Sequence, residues 1–466
     1  MRDWLELRSL VRVDSAVCNH QARLVLLKLF SCNICTQERI VNLNTESCAQ
    51  WFCKRKVPLT QVGLEAGSQE ISKCLRLNSK SISSVNCFAD DAIDLAAMDC
   101  RNLTFFACED LAAKPNLNAV LICNVNLQEL RLEDVKELQV SHFDNVRFPH
   151  IKAVSLYNTP CDDALLIAVI DATVKLQHLN IGRCGNITDE GLIAVAKHCP
   201  HLRSIGLDKL PITDTGLTEL TRLCPLIDLL RLHENDLITD SGVLSAVKYL
   251  AELKTFHLSN CDITDLSLKH LAQNSASTLQ NLCVYGMEQV RVDTLVRLLQ
   301  QCRELRTLII DCDIDSYCTD IVPHMCNLQS LLVYGVLSDD CICMIARHCK
   351  QLQHLGIPCS FKVDSATAAS VHPSALEGDV SDVRVMHCAE KRATKDDIKY
   401  TEIGLLSLVD GLSNLQRLYC PAVSADDNVN TLLHIMVQRM WQRLRPGLQF
   451  EHDDLFFHLN ALDHSA

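Results

Sequence analysis

The chain has 466 residues, with 57 acidic against 44 basic side chains and a formal net charge of −13. Its 48% apolar fraction is that of a folded protein, and the acidic balance disfavours a general nucleic-acid binder, which must set a basic face against phosphates. No stretch approaches the roughly 18 apolar residues of a membrane span; the opening MRDWLELRSL is charged rather than apolar, so no secretory leader is expected, and the 26 cysteines read as reduced thiols in cytoplasm or nucleus.

Residues 1–81 are expected to be helical, with apolar-periodic stretches at 20–30 (HQARLVLLKLF) and around Glu46–Phe52, the second ending in Lys54-Arg55-Lys56. From Ile82 a Leu-x-x-Leu-x-Leu template recurs. It starts at Ile82, Leu103, Leu127, Ile151, Leu176, Leu202, Ile227, Leu253, Leu279, Leu305, Leu328 and Leu352, a near-constant step. Each Leu-x-Leu alternation is a short strand with one face inward. A helix follows, as where Ile187, Leu192, Val195, Ala196 and Cys199 fall on one stripe. Asp189, Asp214, Asp240 and Asp265 are expected as helix N-caps, accepting from otherwise orphan amides. One such unit cannot bury its own apolar face. The spacing therefore predicts a solenoid over 82–358, about twelve repeats, with parallel strands on a concave face and helices on a convex one.

The period fails over residues 359–400, which read as a long insertion or loop with a short strand at Val383–Met386. In 401–466 the pattern returns as a helix at 402–412 and a strand at 415–420 (LQRLYC), and 431–444 predicts a C-terminal cap helix.

The segment LQHLNIGRCGNITDEGLIAVAKHCPHL (176–202) resembles the cysteine-containing leucine-rich repeats typical of F-box/leucine-rich-repeat proteins. That resemblance implies an α/β leucine-rich-repeat solenoid with helical caps. It further implies a substrate-recognition subunit of a cullin-type ubiquitin ligase, reaching a Skp-type adaptor through residues 1–60. Trp4, Leu7, Leu10 and VDSAVCN (13–19) resemble the latter half of an F-box-like helical segment, without the Leu-Pro pair that normally opens an F-box. The reading preferred from the residues alone is a helical cap shielding the apolar edge of the first repeat. The second functional reading is a signalling or cell-cycle scaffold with no ligase link.

No phosphate loop, nucleophile elbow, zinc-protease helix or dinucleotide fingerprint occurs, so neither enzyme chemistry nor a cofactor is expected. His198–Cys199 and His348–Cys349 are neighbours on a helix, which sends their side chains apart, and both recur at one repeat position. Cys32-x-x-Cys35, with Cys18, His20, Cys48 or Cys53 nearby, lacks the second short-spaced ligand pair of a zinc site, and Cys341-x-Cys343 and Cys312-x5-Cys318 are weaker still. Nine cysteines instead keep repeat register: Cys100, Cys199, Cys224, Cys302 and Cys349 three residues before a strand template, Cys184 and Cys261 eight after its start, and Cys87 and Cys108 in place of its last Leu. These are expected as small buried hydrophobes.

The concave face is then the expected protein-binding surface. Register places His178 and Asn180 on one strand, Arg231 and His233 on another, and His257 on the next. Tyr285 follows, then Ile309 with Asp311, Leu332 with Tyr334, and finally His354, with Cys283 and Leu332 in a partly apolar centre. Exposed histidines here are expected to titrate near pH ~6.5.

Overall fold

The computed structural model describes residues 41–43, 46–55, 58–65, 67–111, 116–286, 290–311, 314–333 and 337–356, with short pieces between 407 and 457. The chain divides into two compact units, Met1–His201 and Leu202–Ala466.

The first unit is a ladder of parallel strands: β1 (Val41–Leu43), β2 (Gln61–Leu64), β3 (Ser84–Cys87), β4 (Phe105–Glu109), β5 (Glu129–Glu133), β6 (Ala153–Ser155) and β7 (His178–Asn180). Helices α1 (Glu46–Arg55), α2 (Gln69–Asn78), α3 (Asp90–Asp99), α4 (Asn116–Cys123), α5 (Asp163–Asp171) and α6 (Asp189–His198) connect or follow them, and a 3-10 turn at Val140–Phe143 joins β5 to β6. The ladder thus begins at Val41, upstream of Ile82, where the Leu template places the first repeat. β2 carries the template itself, with Leu59, Val62 and Leu64 at its apolar positions, and β1 carries its second half in Val41 and Leu43, so the expectation of a purely helical segment before Ile82 is corrected.

The second unit continues the same plan with β8 (Ser204–Gly206), β9 (Leu229–His233), β10 (Thr255–Ser259), β11 (Asn281–Tyr285), β12 (Thr307–Ile310), β13 (Ser330–Val333), β14 (His354–Gly356) and β15 (Arg417–Tyr419), all parallel to their neighbours. Its helices are α7 (Asp214–Leu223), α8 (Asp240–Tyr249), α9 (Asp265–Asn274), α10 (Val292–Gln301), the single turn α11 (Cys318–Ile321) and α12 (Asp339–His348). The strand expected at 415–420 is β15. The proposed loop strand at Val383–Met386, the stretch 20–30 and the cap helix at 431–444 lie outside the described residues.

Alternate strand residues make the core. Leu230 and Leu232, Phe256 and Leu258, Leu282 and Val284, and Leu308 and Ile310 are all buried, stacked repeat on repeat. Strands stack about 4.8 Å apart and helices about 8–10 Å apart, so within each unit the sheet must lie on the shorter arc. Eight of the nine cysteines in register are buried as expected; Cys261 is only partly so.

The helix starts depart from expectation in an instructive way. The caps are Thr188, Thr213, Thr239 and Thr264, whose hydroxyls accept from amides two residues on, at 3.1–3.2 Å. Asp189, Asp214, Asp240 and Asp265 are one residue inside the helix, and the last three carboxylates reach across to the next repeat. Asp214 accepts from Thr239 N at 2.9 Å and Thr239 Oγ1 at 2.6 Å. Asp163 clamps Thr188 the same way, Asp315 clamps Ser338, and Asp265 takes the amide and Nε of Arg291. Asp240 adds two bonds from Ser267, its amide at 3.0 Å and its hydroxyl at 2.5 Å. Where Ser267 donates, the repeats at 191, 216 and 242 have glycine. A Cβ on Gly242 would collide with Asp214 Oδ1, and one on Gly191 with Asp163 Oδ1.

A second repeated device turns the chain out of each strand. Asp110, Asp134, Asn158 and Arg183 in the first unit, and Lys209, Glu234, Asn260 and Gly286 in the second, all have left-handed backbone with φ between 49° and 68°. The amides of five of them donate to a carbonyl of the following repeat, as Lys209 N does to His233 O at 2.7 Å. Asn and Asp tolerate this conformation better than other side chains, and glycine is required at 286, where a Cβ would overlap Asn260 Oδ1.

Candidate functional site

Parallel pairing in register converts repetition into rows. In the second unit Gly206, Arg231, His257, Cys283, Ile309, Leu332 and Gly356 are successive strand partners, one row crossing the exposed side of the sheet. Neighbours in the row are about 4.8 Å apart, so each side chain covers the next. This explains why Arg231, Cys283 and Ile309 are at most 9% exposed though they point away from the core.

The row changes character along its length. At one end Arg231 is ion-paired with Asp208, Nε donating to Oδ1 at 3.0 Å and Nη2 lying 2.5 Å from Oδ2, a charge-assisted contact that holds both side chains. Beside it Ser259 Oγ lies 2.8 Å from His233 Nδ1, Glu234 lies 3.1 Å from His233 Nε2, and Lys209 Nζ is 3.0 Å from Glu234. At the other end Cys283 and Ile309 form a small apolar cluster with Leu332 packed against it. Leu332 leans over the next strand, so that a Cβ on Gly356 would overlap Leu332 Cδ1.

The expectation that the histidines titrate near neutrality fails for His257. Burial first, and the Arg231 charge second, push its pKa down to about 4, so it stays neutral at pH 7. Cys283 moves the opposite way, its thiol raised by burial and by the nearby Asp311 charge, and is not an activated nucleophile. The helical pairs behave likewise. Burial raises Cys199 to about 11 and Cys349 to about 12, while His198 Nδ1 turns to Ala194 O at 2.8 Å.

Of the other expected face residues, Asp311 is exposed at the end of β12, where its carboxylate accepts from Gly286 N at 2.5 Å. His354 and His178 are partly exposed, on β14 and β7. Asn180, expected on the face, is fully buried; Gly182 N donates to its Oδ1 at 3.2 Å, which spends it inside the repeat rather than on a partner. The Tyr285 side chain and all of Tyr334 lie outside the described parts. Sequence reasoning missed Asp208, Ser259 and Glu234. The signal was present in the register, since Asp208 and Glu234 sit at the strand exits of adjacent repeats, but nothing in the sequence says that Asp208 turns toward Arg231.

Among the described residues no cluster of His, Cys, Asp and Glu has metal-binding geometry, and no helix is long and apolar enough to cross a membrane. The pair Cys32-x-x-Cys35 lies outside the described residues.

Comparison with known proteins bears out the resemblance of the repeats to the F-box/leucine-rich-repeat family. A leucine-rich-repeat family model matches residues 174–196. F-box/LRR-repeat protein 4 of Bos taurus is 30% identical over 156 residues, 32% of this chain and 25% of that protein. The coronatine-insensitive protein homolog 1b of Oryza sativa subsp. japonica is 24% identical over 235 residues, 44% of this chain and 39% of that protein. The chain therefore spans well under half the length of these relatives. Among solved structures, an internalin of Listeria monocytogenes is 18% identical and aligns at a TM-score of 0.41, covering 80% of this chain and 88% of that one. A chain from the yeast Rad7 and Elc1 complex aligns at 0.44 with 17% identity, covering 71% of this chain and 94% of that one.

Proposed function

We propose that the chain is a non-enzymatic recognition scaffold that grips a protein on the exposed sheet face of β9 to β14. In its finer form, it delivers that protein to a cullin-type ubiquitin ligase through its N-terminal segment, in cytoplasm or nucleus. The observation that carries the reading is the contrast between rows: core rows hold a buried apolar residue in every repeat, whereas the face row changes chemistry, running Arg, His, Cys, Ile, Leu. Packing alone does not demand such variety, and Arg with aliphatic neighbours suits a protein interface. The resemblance to F-box/leucine-rich-repeat proteins supports the ligase link.

The test is affinity purification of the full chain from cells, beside a form lacking residues 1–40, which leaves the ladder from β1 onward, and a folded Ile309→Asp/Leu332→Asp form. The expected result is that a Skp-type adaptor and cullin are recovered only when residues 1–40 are present, and that other partners disappear only from the face variant. Absence of adaptor and cullin with the intact chain leaves a scaffold without a ligase link. Partners unaffected by the face variant overturn the recognition surface itself.

A further inference from the structure

Charge balance on the face is uneven. Asp208 is neutralised by Arg231, and Glu234 by Lys209. Asp311, at the equivalent exit of β12, has no cationic partner among the described residues; its carboxylate accepts from backbone amides, Gly286 N at 2.5 Å and its own. It stands two residues beyond Ile309 on the same side of the strand, about 7 Å along it. A carboxylate with no cationic partner among the described residues thus borders the apolar cluster of Cys283, Ile309 and Leu332.

Resting on the recognition reading, we propose that the segment bound here carries a Lys or Arg side chain beside an apolar one, with the cation on Asp311 and the apolar group over Ile309 and Leu332. Three features favour this occupant. The apolar cluster comprises three side chains among the described residues, Cys283, Ile309 and Leu332, which suit an aliphatic or aromatic side chain. The carboxylate beside it is partly desolvated, which raises its pKa above the ordinary carboxylate value, and an incoming cation relieves that cost. An acidic segment meets Asp311 and a chain of net charge −13, so it is rejected on both counts. The spacing between carboxylate and cluster is matched by residues two apart in an extended segment or one turn apart in a helix.

The experiment selects from a random dodecapeptide phage library on the full-length protein, then measures the selected peptides by fluorescence anisotropy. Wild type is expected to enrich Arg or Lys within four residues of Leu, Ile, Met or Phe. Asp311→Asn, shown to melt like wild type, is expected to lose the basic preference and bind the selected peptides about tenfold more weakly, while Ile309→Ser loses the apolar preference. Selection of acidic or purely apolar peptides, no enrichment at all, or unchanged binding by Asp311→Asn overturns the proposal while leaving a recognition face intact. Peptides that bind Asp311→Asn, Ile309→Ser and Leu332→Ser all as tightly as wild type place recognition elsewhere, and the parent reading falls with it.

Discussion

Two rows of side chains, one at the helix starts and one across the sheet, answer to different demands. At the helix starts Asp163, Asp214 and Asp240 recur, each clamping the hydroxyl and amide of a cap Thr one repeat further on. On the sheet no residue recurs from Arg231 to Leu332. A clamp must meet the same geometry in every repeat, so one solution is used again and again. A face that meets a partner has no such constraint, and its composition is free to follow the partner. What repeats here holds the fold together; what varies is available for recognition.

The comparison breaks most visibly if core, clamp and face fail to separate by energy. Phe256 is fully buried between repeats, and Phe256→Ala is expected to cost about 4 kcal/mol in urea unfolding. Asp240→Ala removes four hydrogen bonds from Thr264 and Ser267 and is expected to cost about 2 kcal/mol. A loss no larger than that of an ordinary surface change means the clamps are decoration.

The pH dependence sharpens the point. Burial on its own raises the Asp240 and Asp265 carboxyls, but the hydrogen bonds they accept outweigh it and hold both pKa values below the ordinary carboxylate range. Their contribution is therefore whole above pH about 4 and is lost as pH falls through the depressed folded value. Asp240→Asn should flatten that acid limb in urea midpoints taken from pH 5 downward. His142, buried and accepting from Gln139 N, has its pKa lowered by burial, so the unfolded chain takes its proton first. It adds a shallower loss that begins as pH falls below about 6.5, and His142→Gln should remove it.

The face should be the quietest place of all. Asp311 is exposed and its charged form is disfavoured, so Asp311→Asn should leave stability within about 0.5 kcal/mol of wild type, with any shift upward. A large loss of melting temperature makes Asp311 a structural residue and removes the distinction between the rows.

Much of this was legible because a solenoid writes its fold as a period. The strands from Ser84 to Gly356 and the buried register cysteines follow from Leu-x-Leu alternation at a near-constant step. The helix caps were displaced by one residue because Thr and Asp are both good caps, and only the neighbouring repeat decides which faces its own amides. Asn180 was misplaced on the accessible surface because alternation gives a direction, not a depth. His257 was expected near its ordinary pKa because its burial, and then the charge of Arg231 on the adjacent strand, come from neighbouring repeats that lie a whole period away in sequence.

By itself, then, the sequence determined the repeat and the strand register that sets which positions turn away from the core, since these depend on local spacing. Tertiary structure decided how the side chains at those positions are spent. Arg231 is consumed by Asp208, His257 is kept neutral, Leu332 is folded over Gly356, and Asp311 is the face carboxylate without a cation among the described residues. Each outcome depends on contact between neighbouring repeats, across distances that no local pattern encodes.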